Sequence, residues 1–309
     1  MVMTDKSQKI LKISAIVLGV LTLGTFVFLG VRRLSRRMNK VLGKNGVLVC
    51  SHITKIDAPQ ALNVENNLAN IQLCLDNNVE IIEMDIQITK DGVPVLFHDN
   101  DLDSKTNGNG SISNKTWSEV SQIRYISNTS QGIATLESAI QLLKKSRKSA
   151  IYQLDKCSQQ EIGQINKLGL FKGVENQILC KGFSWQKPQT AQEAGILWMP
   201  MIPTDLVGKM SNMETINKIV ANCQGSEFLE AQFSDQDSLL IDGTLSKELQ
   251  KIGCNLFVVA VAGASTTNGK SFRGDSPKQW EKMIKPMGAK AIMTNKPIAL
   301  KNFLQQFGV

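Results

Sequence analysis

Residues 81–99 read I-I-E-M-D-I-Q-I-T-K-D-G-V-P-V-L-F-H-D, two apolar runs on either side of a polar break. The first run, 81–86, is rich in isoleucine and carries Glu83 and Asp85 two positions apart. On a strand, residues i and i+2 share a face, so both acids project from one side of an otherwise apolar element. The second run, 93–97, ends in His98-Asp99. Two strand candidates are therefore followed or punctuated by groups that can bind cations or move protons.

Working outward, similar short apolar runs occur at 46–51, 150–154, 177–181, 196–201, 228–233, 255–261 and 290–293. Patterns of helical period lie between most of them. Leu68, Ile71 and Leu75 share a face within 64–75, and Leu136, Ile140 and Leu143 do so within 136–145. Strand–helix alternation over this length predicts a parallel sheet covered by helices. Runs such as L-F-V-V-A-V are apolar throughout, as strands buried on both faces are. The length and the number of repeats favour a TIM (β/α)8 barrel over an open doubly wound sheet. The candidates number nine, one more than the barrel takes. The Asn-, Gly- and Ser-rich sequence at about 100–134 reads as a small insertion after the third strand.

The 309 residues carry 35 Lys+Arg and 27 Asp+Glu, a net charge of +8. All of that excess lies before Asn45: nine bases and one acid precede it, and 26 bases balance 26 acids after it. The globular part thus has no net basic field to draw it to nucleic acid. Within 1–44 lies I-S-A-I-V-L-G-V-L-T-L-G-T-F-V-F-L-G-V, residues 13–31, without a charge. A helix of that length spans the hydrocarbon core of a bilayer. It is longer than a signal-peptide core and lacks a small-residue cleavage site. The expectation is a single-pass membrane anchor and basic flank at 1–44, followed by a barrel domain at 45–309. Three bases precede the apolar run and six lie between Arg32 and Lys44, which orients the barrel to the cytoplasm. Six scattered cysteines show no metal-ligand spacing and suit a reducing compartment. No glycine-rich dinucleotide or P-loop motif is present.

In a TIM barrel, chemistry belongs at the C-terminal ends of the strands. That rule selects His52 after the first run, Glu83 and Asp85 on the second, His98 after the third and Asp155-Lys156 after the fourth. These are the only two histidines in the chain. Three carboxylates converging on one mouth repel unless a cation lies between them. Glu83, Asp85 and Asp155 are hard oxygen donors, suited to Mg²⁺ or Ca²⁺. Two histidines beside such an ion suit proton transfer at a phosphoryl centre.

The run I-E-M-D-I-Q-I-T-K-D-G-V-P-V-L-F-H-D, with V-E-N-N at 64–67, T-N-G-N-G at 106–110 and I-M-T-N-K-P at 292–297, resembles the glycerophosphodiester phosphodiesterase family of phospholipase-C-like TIM barrels. The resemblance implies metal-dependent hydrolysis of glycerophosphodiesters to an alcohol and glycerol 3-phosphate. It makes His52 and His98 the acid/base pair and Glu83, Asp85 and Asp155 the metal ligands. Lys156, Lys181, Glu65 and Asn66 then contact the substrate or its phosphate. It also implies that a neighbouring substrate hydroxyl can attack, giving a cyclic phosphate. The anchor adds a second substrate expectation, membrane lysophospholipids. Ile53 stands where the family has arginine and Asn295 where it has aspartate. Loss of that guanidinium motivates a third reading, an inactive anchored scaffold. If catalysis is kept, Lys55, Lys156 or Lys181 is expected to supply the missing charge.

Overall fold

The computed structural model describes residues 46–155, 157–234, 236–261 and 274–308. The expected anchor at 13–31 and the expected phosphate contact Lys156 lie outside the described residues. Among the described residues, no helix is long and apolar enough to cross a membrane.

Eight parallel strands form the barrel: Leu48–Ser51, Ile81–Ile88, Ile151–Asp155, Ile178–Gly182, Leu197–Pro200, Phe228–Ala231, Asn255–Val259 and Ala291–Thr294. They are called here the first to eighth barrel strands. Each pairs with the next, and the eighth returns to the first with Leu48 opposite Ala291 and Ser51 opposite Thr294. The join between the fifth and sixth is the parallel bridge Met201–Glu230, with Ile202 N donating to Glu230 O at 3.0 Å. Closure leaves no strand edge exposed.

Alternation along each strand divides the side chains between two cores. Val49, Ile82, Met84, Tyr152, Leu154, Cys180, Trp198, Leu229, Val258 and Ile292 point outward into one continuous cluster with the helices. The intervening positions fill the barrel, where the Phe228 and Phe257 rings meet edge to face at 6.0 Å. Toward the C-terminal ends the filling turns polar, with Glu83, Asp85, Gln153, Lys181 and Glu230 all buried. All six cysteines are buried and unbridged.

Eight of the nine strand candidates become barrel strands, and the exception is 93–97. Pro94–Leu96 folds back antiparallel on the second barrel strand, with Leu96 opposite Ile86 and Pro94 opposite Ile88. Only residues 89–93 connect the two, and a parallel crossover needs about a dozen residues or more. Gly92, at φ 87°, makes the tight turn that such a short connection requires. The insertion therefore follows the second barrel strand rather than a third. It begins before 100 and includes the run that was expected to belong to the barrel. Ala134–Thr135 pairs with Val95–Leu96 at its far end. A core of its own, with Val95, Phe97, Leu102, Ile112, Val120 and Tyr125, holds it together. The helix expected over 64–75 starts at Leu68, because the Asn67 side chain caps it by accepting from Asn70 N at 2.9 Å.

Candidate active site

Glu83 and Asp85 sit on the inward face of the second barrel strand, and Asp155 ends the third directly opposite Asp85. Each offers an oxygen within 4.8 Å of the other two. Glu83 and Asp85 are buried and Asp155 is partly exposed. Burial, together with the charges of Asp85 and Asp155, pushes the Glu83 carboxyl well above the usual carboxylate range.

Lys181, on the fourth barrel strand, places Nζ 2.7 Å from Asp155 Oδ2 and 3.3 Å from Glu230 Oε2. Burial opposes its charge, but Glu230, Asp155 and Glu83 outweigh that and hold the ammonium above the ordinary lysine range. Glu230, Asp155 and Glu83 act on this one buried ammonium and Asp85 adjoins Glu83 and Asp155, so the carboxyl groups outnumber it and negative charge remains in excess. Three converging hard oxygens and that excess fit a divalent cation.

His52 follows the first barrel strand in a short 3-10 turn. Its Nδ1 donates to Asn295 Oδ1 at 2.9 Å. Burial lowers its pKa below the ordinary value, against the opposing pull of the Asn295 bond and of Asp85. Asn295 is held in turn by Asp275, whose Oδ2 accepts from Asn295 N at 2.7 Å. Ile53, the next residue after His52, has left-handed φ/ψ of 43°/42° and a buried side chain. Its contribution comes from the backbone: Ile53 N donates to Glu83 Oε2.

Asn66 is fully buried and left-handed, at φ 53°. Its Nδ2 donates to Asp85 Oδ2, its Oδ1 accepts from Asp85 N, and its own N donates to Ile53 O, each at 3.0 Å. Both ends of the amide therefore engage Asp85.

His98 comes from the insertion. Phe97 N donates to Asp85 O at 3.1 Å, which fixes the chain beside the carboxylates just before the histidine. His98 Nδ1 donates to Asp99 Oδ1 at 2.6 Å. Although burial raises it, bonds from His98, Lys105 and Ser104 bring the Asp99 carboxyl down to about 2. The Lys105 ammonium binds Asp99 Oδ1 at 3.1 Å and also Glu65 Oε1. Among the described residues the cation paired with Glu65 is therefore Lys105, not the expected Lys55 or Lys181. Glu65, His98 and Asp99 also cluster within ligand distance, but the Lys105 ammonium already compensates that group.

A cleft of about 590 Å³ opens beside the mouth. Lys55, Lys105, Glu65 and Asn295 line it together with apolar residues that include Ile56, Leu62, Val64 and Ile126. The cleft thus borders Asn295, the partner of His52, and Lys105, which binds the Asp99 partner of His98.

Sequence reasoning missed Glu230, Lys105 and Asp275. Glu230 was visible as an acid inside an apolar run at 228–233, a position tolerated only with a charged partner. Lys105 and Asp275 carried no such signal, because nothing local marks which distant side chain they meet.

The closed parallel barrel with its acidic mouth is that of a phospholipase-C-like phosphodiesterase. Residues 43–196 match the Glycerophosphoryl diester phosphodiesterase family, and the chain belongs to that family of enzymes. It is 28% identical over 212 residues to YhdW of Bacillus subtilis, a proposed glycerophosphodiester phosphodiesterase, covering 65% of this chain and 82% of that one. Identity reaches 40% with glycerophosphodiester phosphodiesterase 1 of Rattus norvegicus, over 72 residues that are 23% of this chain and only 20% of that protein. In fold it resembles a glycerophosphodiester phosphodiesterase from Parabacteroides distasonis, at 17% identity and a TM-score of 0.61, over 86% of this chain and all of that one. It also resembles an Oleispira antarctica phosphodiesterase solved in complex with its product sn-glycerol 3-phosphate, at 17% identity and a TM-score of 0.57. That match covers 84% of this chain and 96% of the other.

Proposed function

We propose that this enzyme hydrolyses glycerophosphodiesters to an alcohol and glycerol 3-phosphate. The observation that carries the reading is the Glu83–Asp85–Asp155 trio at the mouth, with His52 fixed beside it through the Ile53–Glu83 bond. Glu83, Asp85 and Asp155 would hold a divalent cation, Mg²⁺ or Ca²⁺. When bound, such an ion neutralises phosphate oxygens and favours charge build-up at phosphorus.

The side chains supply the proton transfers. With Nδ1 committed to Asn295, the neutral His52 ring has Nε2 as its basic nitrogen. Burial lowers its pKa and so favours the neutral ring, which suits it to take the proton of the attacking hydroxyl. His98, oriented by Asp99, takes a proton on Nε2 from solvent and gives it to the leaving alcohol oxygen. Water then opens the cyclic phosphate, with His98 as the base and His52 as the acid. Asn66 fixes Asp85 through both ends of its amide, Lys181 steadies Asp155, and Glu65 acts through Lys105.

The test is glycerol 3-phosphate release from glycerophosphocholine, with and without chelator. His52→Ala and His98→Ala should each abolish it. Turnover that survives both substitutions, or that ignores the chelator, overturns the reading.

The cleft supports lysophospholipids as a second substrate class. Lys55 offers charge to a phosphate, and Ile56, Leu62, Val64 and Ile126 offer an apolar wall to an acyl chain. Residues 13–31, anchored in a bilayer with the barrel on the cytoplasmic side, would keep the enzyme at a membrane that contains such lipids. The uncharged run and its six following bases support this placement. Choline release from lysophosphatidylcholine in vesicles separates the two classes.

A further inference from the structure

We infer that Lys105 is a positioning residue: its ammonium clamps the insertion to the loop after the first barrel strand and thereby sets the orientation of His98. The inference rests on the catalytic role proposed for His98. Asp99 shares one oxygen, Oδ1, between His98 Nδ1 at 2.6 Å and Lys105 Nζ at 3.1 Å. Its other oxygen accepts from Ser104 Oγ at 2.9 Å. The carboxylate that aims the imidazole is therefore itself held from two sides. Lys105 is held in turn by Glu65, which is only 13% exposed.

Glu65 adjoins Asn66, the residue bound to both ends of Asp85. One ion pair thus connects the element that fixes a carboxylate ligand with the element that carries the second histidine. Between His98 and Ser111 the insertion has no regular strand or helix, so its backbone alone gives the ring little support. Without the ammonium, Glu65 and Asp99 would face each other as like charges and separate, and the Asp99–His98 bond would lose its fixed geometry. Ile53 cannot substitute, because its side chain is apolar and buried.

A carboxylate acceptor on Nδ1 also selects the ring tautomer, with the proton on Nδ1 and Nε2 as the basic nitrogen. That state can be read without turnover. The chain has two histidines, so the full-length protein labelled with ¹⁵N-histidine in detergent gives two imidazoles, assigned by His98→Ala. In the wild type, His98 should show a protonated Nδ1 and a single tautomer. Lys105→Met should move its nitrogen shifts toward a mixture of tautomers and leave those of His52 in place. Glu65→Gln should act in the same direction, and Lys105→Arg should keep the wild-type pattern.

On glycerophosphocholine, Lys105→Met should lower kcat by about 10- to 100-fold with little change in KM, as loss of orientation does. Unchanged His98 nitrogen shifts in both Lys105→Met and Glu65→Gln overturn the inference, whatever happens to turnover. If the wild type hydrolyses none of the diesters offered, the proposed function fails, while the nitrogen shifts still decide the clamp.

Discussion

Lys181 Nζ lies 2.7 Å from Asp155 Oδ2, within a barrel mouth where the lysine side chain is only 6% exposed. The same ammonium reaches Glu230 on the sixth barrel strand. One cation thus ties the third, fourth and sixth strands together across the mouth. Lys181→Met takes the shared ammonium away from Asp155 and Glu230. Removing one partner of a buried ion pair costs about 3–5 kcal/mol. Urea unfolding of the full chain in chelator should show that loss as a lower midpoint with an unchanged slope. Lys181→Met combined with Glu230→Gln should recover part of it, since one of the two carboxylates is gone. A single variant as stable as the wild type would mean that water, not the ion pair, compensates these carboxylates.

The remaining negative charge predicts a response to divalent ions. Mg²⁺ or Ca²⁺ that binds the folded state alone stabilises it by about 2.7 kcal/mol at a hundred times its dissociation constant. Thermal unfolding followed with increasing ion should rise in midpoint for the wild type. In Asp85→Asn, which loses one of the trio, the rise should largely disappear, and Glu83→Gln should behave alike. Equal rises in wild type and variants would place the ion elsewhere.

Much of this site is legible in the amino-acid sequence, and the reasons differ from residue to residue. Glu83, Asp85 and Asp155 are legible because strand alternation and the strand-end rule act locally, within a few residues of each acid. His52 is legible on the same ground. His98 is selected for a partly wrong reason: its strand is a hairpin arm of the insertion, with only residues 89–93 joining it to the second barrel strand. That five-residue connection is the decisive clue, because chain length alone forbids a parallel partner there. Lys105 is not legible. Its meeting with Glu65 spans 40 positions and depends on how the insertion packs, which no periodicity records.

Asn66 offers a cleaner separation of backbone from side chain. Its left-handed φ of 53° costs an ordinary L residue about 1–2 kcal/mol, and glycine far less. Its amide also satisfies the buried Asp85 on two sides. Asn66→Ala should therefore lose both benefits and fall by about 2–4 kcal/mol in chemical denaturation. Asn66→Gly should lose the amide but keep the conformation, and so be about 1 kcal/mol more stable than Asn66→Ala. Both should weaken the ion response, because Asp85 loses the partner that fixes it. If the alanine and glycine variants prove equally stable, the left-handed turn carries no strain worth relieving.

Glu83 sets the pH dependence of the metal-free protein. Burial and then the charges of Asp85 and Asp155 raise its carboxyl well above the ordinary value of 4.5. Between those two values the folded state holds a proton that the unfolded chain releases. Fewer protons on the unfolded chain means that stability falls as pH rises. The contribution is fully present below about pH 4.5 and is lost as pH climbs through the folded value. Asp99 works in the opposite sense, since its carboxyl is held down to about 2 and its contribution is lost on acidification. The two are separated by comparing wild type with Glu83→Gln in chelator, by urea unfolding at a series of pH values. The neutral amide cannot titrate, so the glutamine variant should gain on the wild type steadily as pH rises above 4.5. A divalent ion removes the reason for that gain, because it favours the ionised trio. With saturating ion the wild type should therefore lose its alkaline decline and overtake the variant. A difference between the two proteins that stays constant with pH would show that Glu83 is ionised in the folded chain without help from a cation.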